Sequence, residues 1–275
     1  MSAAFGPPAG WYADPHSAGN LRYWNGSQWT PHQATPHFPL ARAEAEPFVS
    51  LPIQAALAAL LVVTASLIAS KFLLQWLIGY DWPLMVYVAI AILSAYGPSV
   101  VSSAWISRRW GSGEFRKDFG VRFRWADLGW GPVTFLAAVG AEIAVAATII
   151  ALNVPIASNT QGIAHRHIDR TYIIALGLMA VVAAPIVEEL IFRGVVMRGF
   201  RSVMPAWLCV GVQGVLFGAA HFDPSRGMGN IGLVIVLSSV GVMFGGSAYL
   251  LRRLAPTMVA HALFNTVVLI VVLNR

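Results

Sequence analysis

Residues 183–194 read AAPIVEELIFRG, and the fold turns on the two carboxylates inside that run, Glu188 and Glu189. From Tyr172 to Val187 the chain carries no charged side chain, so the segment reads as a membrane helix that reaches a Glu pair. A charged group at bilayer depth costs about 2.5–3.5 kcal/mol on insertion scales, and intramembrane ionisable residues are functional candidates by default. Arg193 follows Glu189 by four residues, one turn along the same helix face, where it can neutralise that carboxylate. Glu188 projects roughly 100° away from Glu189 and gains no partner from its own helix. One carboxylate is tied up locally, and the other is left for chemistry.

Hydrophobic residues make up 57% of the chain and charged residues 11%, against about 25% charged in soluble globular proteins; the mean hydropathy is +0.66. Several uninterrupted apolar runs reach the roughly 20 residues that span hydrocarbon. The expected fold class is an all-α polytopic membrane protein of about seven transmembrane helices, with a small N-terminal Trp-rich β-hairpin module. The seven spans are expected at 52–78, 83–106, 131–153, 171–190, 204–222, 229–250 and 256–273. Trp76, Trp82, Trp105, Trp110, Trp125 and Trp130 sit near span ends, as an interfacial aromatic belt requires.

Charge decides orientation. Arg108, Arg109, Arg116, Lys117, Arg122 and Arg124 crowd residues 107–130, and the positive-inside rule puts that loop and the N-terminus in the cytoplasm. Arg198, Arg201, Arg252 and Arg253 fall on the same side, while Arg166, Arg170, Arg226 and Arg275 fall outside and Lys71 and Arg193 lie in spans. The net charge of +6 is therefore a topology signal of a multi-pass cell (plasma) membrane protein. No nucleic-acid partner is expected. The first apolar run begins near Leu51, so no signal peptide is expected. The lone Cys209 forbids an intrachain disulfide. Gly211, Gly214 and Gly218 in span five, and Gly241, Gly245, Gly246 and Ser247 in span six, read as close helix packing without direct chemistry.

Residues 10–30, GWYADPHSAGNLRYWNGSQWT, pack three Trp and two Tyr between turn formers. Asn25-Gly26 between LRYW and SQWT predicts a hairpin. The spacing of GWY, DP, RYW, NG and W closely resembles domain of unknown function 2510, which names no chemistry. In so small a unit the Trp residues read as its core. The boundaries expected are 8–33 for this module, 34–50 for a linker with Pro36, Pro39 and Pro47, and 51–275 for the membrane domain.

Two further polar sets follow the Glu pair. FGAAH places Phe217 and His221 one helical turn apart, and HALFN places His261 and Asn265 on one face. One carboxylate base candidate, two imidazoles and an amide on three helices suit water activation and oxyanion stabilisation. In this order, EExxxR, FxxxH and HxxxN resemble the signature of the CPBP family of intramembrane proteases, related to the Ras-converting CAAX endoprotease and including Abi-type proteins, over a core at 170–272. The resemblance implies an endopeptidase acting on a membrane-associated protein or peptide. It implies that Glu188 and His221 activate water, that His261 and Asn265 hold the oxyanion, and that Glu189, Arg193 and Phe217 support the site. DFGVR at 118–122 looks like the short region ahead of many such cores.

Some alternatives stay open. Family members are often labelled metalloproteases, and Zn on His221 and His261 is conceivable, but there is no HExxH and a third ligand would have to be a carboxylate. The competing functions are a proton-coupled transporter using the same buried Glu and His residues, and a non-catalytic scaffold or immunity protein. The transporter reading lacks inverted repeats, and the scaffold reading sits badly with an intact motif set. His165 and His167 lie in a polar loop and read as exposed. Glu142, alone in span three, is either a cavity residue or a helix–helix partner. One tension is plain: regular spans place His221 near the outer end of one helix and His261 near the inner start of another. They meet only if a segment breaks, with Pro185 and Pro224 as candidate break points.

Overall fold

The computed structural model describes residues 7–34, 48–160 and 169–274. His165, His167 and nearly all of the expected linker lie outside the described residues. The chain divides into two units, Met1–Glu46 and Pro47–Arg275.

In the first unit the hairpin gains a third strand. Strands β1 (Gly10–Ala13), β2 (Leu21–Trp24) and β3 (Trp29–Ala34) form an antiparallel sheet in that order, with Gly10 opposite Trp24 and Trp24 opposite Trp29. Asn25 closes the β2–β3 turn by accepting from the amides of Ser27 and Gln28, and Gly26 takes the positive φ of 97° that the turn demands. The buried centre is polar. Asp14 accepts from the amide of His16, from Arg22 Nε at 3.1 Å and from Gln33 Nε2 at 2.9 Å, tying the three strands together. The aromatics are not a closed core: Trp24 packs edge-on against Trp29 at 5.3 Å, yet Trp11 and Trp29 stay exposed.

The second unit is a helical bundle. Its elements are α1 (Ile53–Leu77), α2 (Leu84–Trp110), the short α3 (Phe115–Phe119), α4 (Asp127–Ala151), α5 (Arg170–Phe200), α6 (Ala206–Ala219), α7 (Gly229–Leu251) and α8 (Ala255–Leu273). Among the described residues six helices are long and apolar enough to cross a membrane, and α6 is a shorter apolar helix. Trp76, Trp82, Trp105, Trp125 and Trp130 are exposed near helix ends.

Two spans depart from the sequence expectation. The expected span 171–190 ends at the Glu pair, whereas α5 runs on to Phe200, so the carboxylates sit in the interior of a 31-residue helix. The continuation is possible because Arg193 is buried against Glu189 and every residue from Leu190 to Gly199 is buried. The expected span 204–222 shrinks to 14 residues, about 21 Å of helix, which falls short of the roughly 30 Å hydrocarbon core.

Small residues set the packing around the site. Ser66 Oγ donates to the Ala95 carbonyl at 2.8 Å and Ser70 pairs with Ser94 at 2.7 Å, locking α1 to α2. Helices α6 and α7 touch backbone to backbone: a Cβ added at Gly241 would meet Gly214 Cα at 2.9 Å. At the end of the bundle bearing the basic loops, buried Asp118 accepts from Ser107 Oγ at 2.5 Å and from Ser112 N and Oγ at 2.9 and 2.6 Å. Gly120, at φ 70°, follows, and its carbonyl accepts from Leu254 N, so the DFGVR strap ties α2 to the start of α8.

Candidate active site

Helix α5 is wound to expose a carbonyl beside the Glu pair. Gly177–Ala183 and Leu190–Val196 are π-helical, with an α-helical turn, Ala184–Glu189, between them; such wide turns recur at functional sites. The Ala184 amide bonds back to the Met179 carbonyl, and Pro185 has no N–H. The Ala180 carbonyl is thereby left without the helical donors next in line. Asn265 on α8 supplies one, its Nδ2 donating at 2.6 Å. Pro185 acts here through a missing donor, without breaking the helix.

The two glutamates meet opposite surroundings. Glu189 is fully buried, and its Oε1 accepts from Arg193 Nη1 at 2.9 Å and from His261 Nδ1 at 3.0 Å. Arg193 also donates to the Gly241 carbonyl at 3.1 Å, and its guanidinium lies 4.4 Å from the centre of the Phe217 ring. The cation therefore has a carboxylate, a carbonyl and an aromatic face, which offsets its removal from water. Glu188 is only half-buried. Its Oε1 accepts from the Tyr96 hydroxyl at 3.0 Å, while its Oε2 is buried and has no hydrogen-bond partner among the described residues.

His221 lies in the turn beyond α6. Its amide bonds the Gly218 carbonyl, and its ring Nδ1 takes the Phe217 carbonyl at 2.8 Å, the position a further helical amide would fill. A carbonyl only accepts, so this contact assigns the proton to Nδ1 and leaves Nε2 free. The four-residue spacing of FxxxH thus works as a side-chain helix end. The early stop of α6 also removes the depth conflict: Phe217 sits between the two imidazoles, 5.0 Å from His221 and 5.8 Å from His261 by ring centroids.

Glu188, His221, Tyr96 and Asn265 line one cavity of about 320 Å³. A second, of about 690 Å³ between α1 and α6, is walled by Val63, Leu67, Phe192 and Leu216 and shares Glu188, His221 and Tyr96 with the first. His261 lies deeper, 5% exposed, between Glu189 and Phe244. The seven expected residues therefore form two layers. Glu188, His221 and Asn265 face open space, and Glu189, Arg193, His261 and Phe217 pack behind them. Tyr96 is the contact that the sequence left hidden, since its partner is 92 residues away and one more apolar-run tyrosine carries no mark. Glu142 lines a third cavity, of about 370 Å³, whose wall also includes Asn265, and it has no hydrogen-bond partner among the described residues.

Among the described residues no three His, Cys, Asp or Glu side chains come together as a metal site. The Nδ1 atoms of His221 and His261 are already engaged by a carbonyl and a carboxylate. The donor set does not fit a resident Zn, and no step below runs through one.

Residues 170–267 match the family model described as Type II CAAX prenyl endopeptidase Rce1-like, and residues 9–43 match that of a protein of unknown function, DUF2510. No curated protein and no solved structure matches the chain. The first match begins at the first residue of α5 and takes in all seven motif residues, whereas Tyr96 and Glu142 precede it. The chain is a multi-pass membrane protein that carries an Rce1-like domain of the CAAX-type intramembrane proteases behind a DUF2510 module.

Proposed function

We propose that this domain hydrolyses a peptide bond of a membrane-associated protein or peptide, with Glu188 as the general base. The observation that carries the reading is the contrast between neighbours. Glu189 is fully buried and spent on the cation of Arg193 and on His261, while Glu188 is half-buried, pairs among the described residues only with the neutral Tyr96 hydroxyl, and lines the same cavity as His221. A water between Oε2 and Nε2 gives up a proton to Glu188 as its oxygen attacks the carbonyl carbon. Glu188 then returns that proton to the leaving amine. Tyr96 is a positioning residue: its hydroxyl holds Oε1 and so aims Oε2. Asn265, with a second amide hydrogen left after its bond to Ala180, donates to the developing oxyanion. His261, fixed on Glu189, completes the oxyanion side of the site with Asn265. The module at 8–33 and the linker at 34–50 lie on the cytoplasmic side in this reading.

The test uses purified full-length protein in proteoliposomes with a mixture of membrane-anchored peptides, scored by new termini in mass spectrometry. Glu188→Gln keeps shape and accumulation but cannot take the proton, so cleavage falls by about 10²–10⁴-fold. Full activity in that variant would sink the assignment. Exhaustive chelation leaves turnover intact, since the donor set lacks a third ligand; loss of turnover restored by added Zn would overturn the carboxylate-only mechanism.

A further inference from the structure

We infer that the active-site cavities are entered from the membrane face opposite the basic loops, the extracytoplasmic face, and that the substrates are polypeptide segments presented on that side. This rests on the protease reading for the word substrate only; the direction of entry stands on the packing and the charges.

The helices alternate in direction, so every loop falls at one of two ends. One end gathers residues 107–126, 201–205 and 252–254, with Arg108, Arg109, Arg116, Lys117, Arg124 and Arg201 among their cations. The other gathers the described residues 78–83, 152–160 and 220–228, which carry Arg226 as their only Lys or Arg; in sequence the segment between 160 and 169 holds one more, Arg166. By the positive-inside rule the first end is cytoplasmic.

That end is packed beneath the site. Leu51, Ile106, Phe119, Val195, Val196 and Leu254 are each at most 1% exposed, and the Glu189–Arg193–His261 cluster closes the path from there to Glu188. The three cavities open at the other end. The first and third share Asn159, Thr160 and Val272, from the loop after α4 and the last turn of α8, and the first adds Met179 from the first turns of α5. The second reaches Phe222 and Pro224 beyond the short α6. Phe222 and Ile68, on its rim, are exposed, so this cavity also gives on to the apolar phase beside α1. Residues 155–157 at the cavity rim are tied to the start of α7: Ala157 N donates to the Gly229 carbonyl and Gly232 N to that of Pro155. A segment anchored in the bilayer and extending outside reaches Glu188 directly, whereas one in the cytoplasm meets the packed end.

The test has two arms. In a Cys209→Ala background, which removes the lone cysteine, single cysteines replace exposed Asn159 and exposed Glu114 in the full chain. A membrane-impermeant maleimide on intact cells labels Asn159→Cys, and labels Glu114→Cys only after permeabilisation; the reverse pattern overturns the inference. In the second arm, right-side-out and inside-out vesicles receive the same impermeant mixture of quenched fluorogenic peptides, with Glu188→Gln as the blank. Right-side-out vesicles cleave at least tenfold faster, and faster cleavage by inside-out vesicles overturns the inference. Cleavage in neither would count against the protease reading, while the maleimide pattern still decides the direction of entry.

Discussion

At the end of the membrane unit with the basic loops, apolar side chains fill the space beneath the Glu pair and leave one apolar groove between α6 and α7 at Trp207 and Gly211, and at the other end comparable side chains leave the three cavities of the site. Composition does not separate the two ends. Backbone does: at the packed end α5 is buried from Leu190 to Gly199 and the Asp118–Gly120 strap ties α2 to α8. At the hollow end α6 stops after 14 residues and the chain after α4 runs as an irregular loop. The buried ion pair sits between the two, with its charges on the packed side and Glu188 on the hollow side. A membrane enzyme needs water at depth, and a truncated helix beside a sealed floor supplies room for it without opening a path through the bundle.

The largest effect should come from breaking the floor. Arg193→Ala leaves Glu189 buried without its guanidinium partner, and losing one member of a buried pair costs on the order of 3–5 kcal/mol; thermal melting and accumulation in membranes check it. Adding Glu189→Gln restores part of the accumulation but little activity, because His261 loses its carboxylate. A double variant no more abundant than the single one would show the pairing to be unimportant.

A smaller effect belongs to the hollow side. Tyr96→Phe removes one hydrogen bond to a charged group, worth about 1.5–3 kcal/mol, so kcat should drop by about 10- to 100-fold with KM unchanged. An equal rise in KM would mean that Tyr96 contacts substrate and does not aim Glu188.

The smallest concerns the strap. Burial pushes the Asp118 carboxyl up, but hydrogen bonds from Ser107, Ser112 and the Ser112 and Gly113 amides outweigh it and leave the pKa below its ordinary 3.8. A group depressed by folding adds stability that is complete above the unfolded pKa and fades as pH falls through the folded one. Melting temperature should therefore decline below about pH 4, and Asp118→Asn should flatten that part of the decline. An unchanged acid limb in the variant would remove Asp118 as its source.

Much of the site was legible because it is local. The Glu189–Arg193 pair and the Phe217–His221 contact span four residues each, which helix geometry dictates before any packing. The reach of α5 was not legible, since a charged Arg193 ends an apolar run in the sequence and continues it in the fold. Nor was the length of α6, because VLFGAAHF stays apolar past the point where the helix stops. In the first unit the β2–β3 turn was legible from Asn25-Gly26, whereas the polar centre was not. Asp14 reads as a turn residue until Arg22 and Gln33 close on it.

The sequence by itself determined that the chain lives in a membrane, that one of two adjacent carboxylates is neutralised by Arg193, and that two histidines and an asparagine follow at helical spacing. Only the tertiary structure decided which groups those residues meet: Tyr96 on Glu188, His261 on Glu189 across 72 residues, and Asn265 on Ala180 across 85. The reason is physical. Helices in hydrocarbon are apolar on all sides and associate through close packing and polar contacts, so no hydropathy period marks the inward face, and each long-range partner is chosen by where small residues let the helices touch.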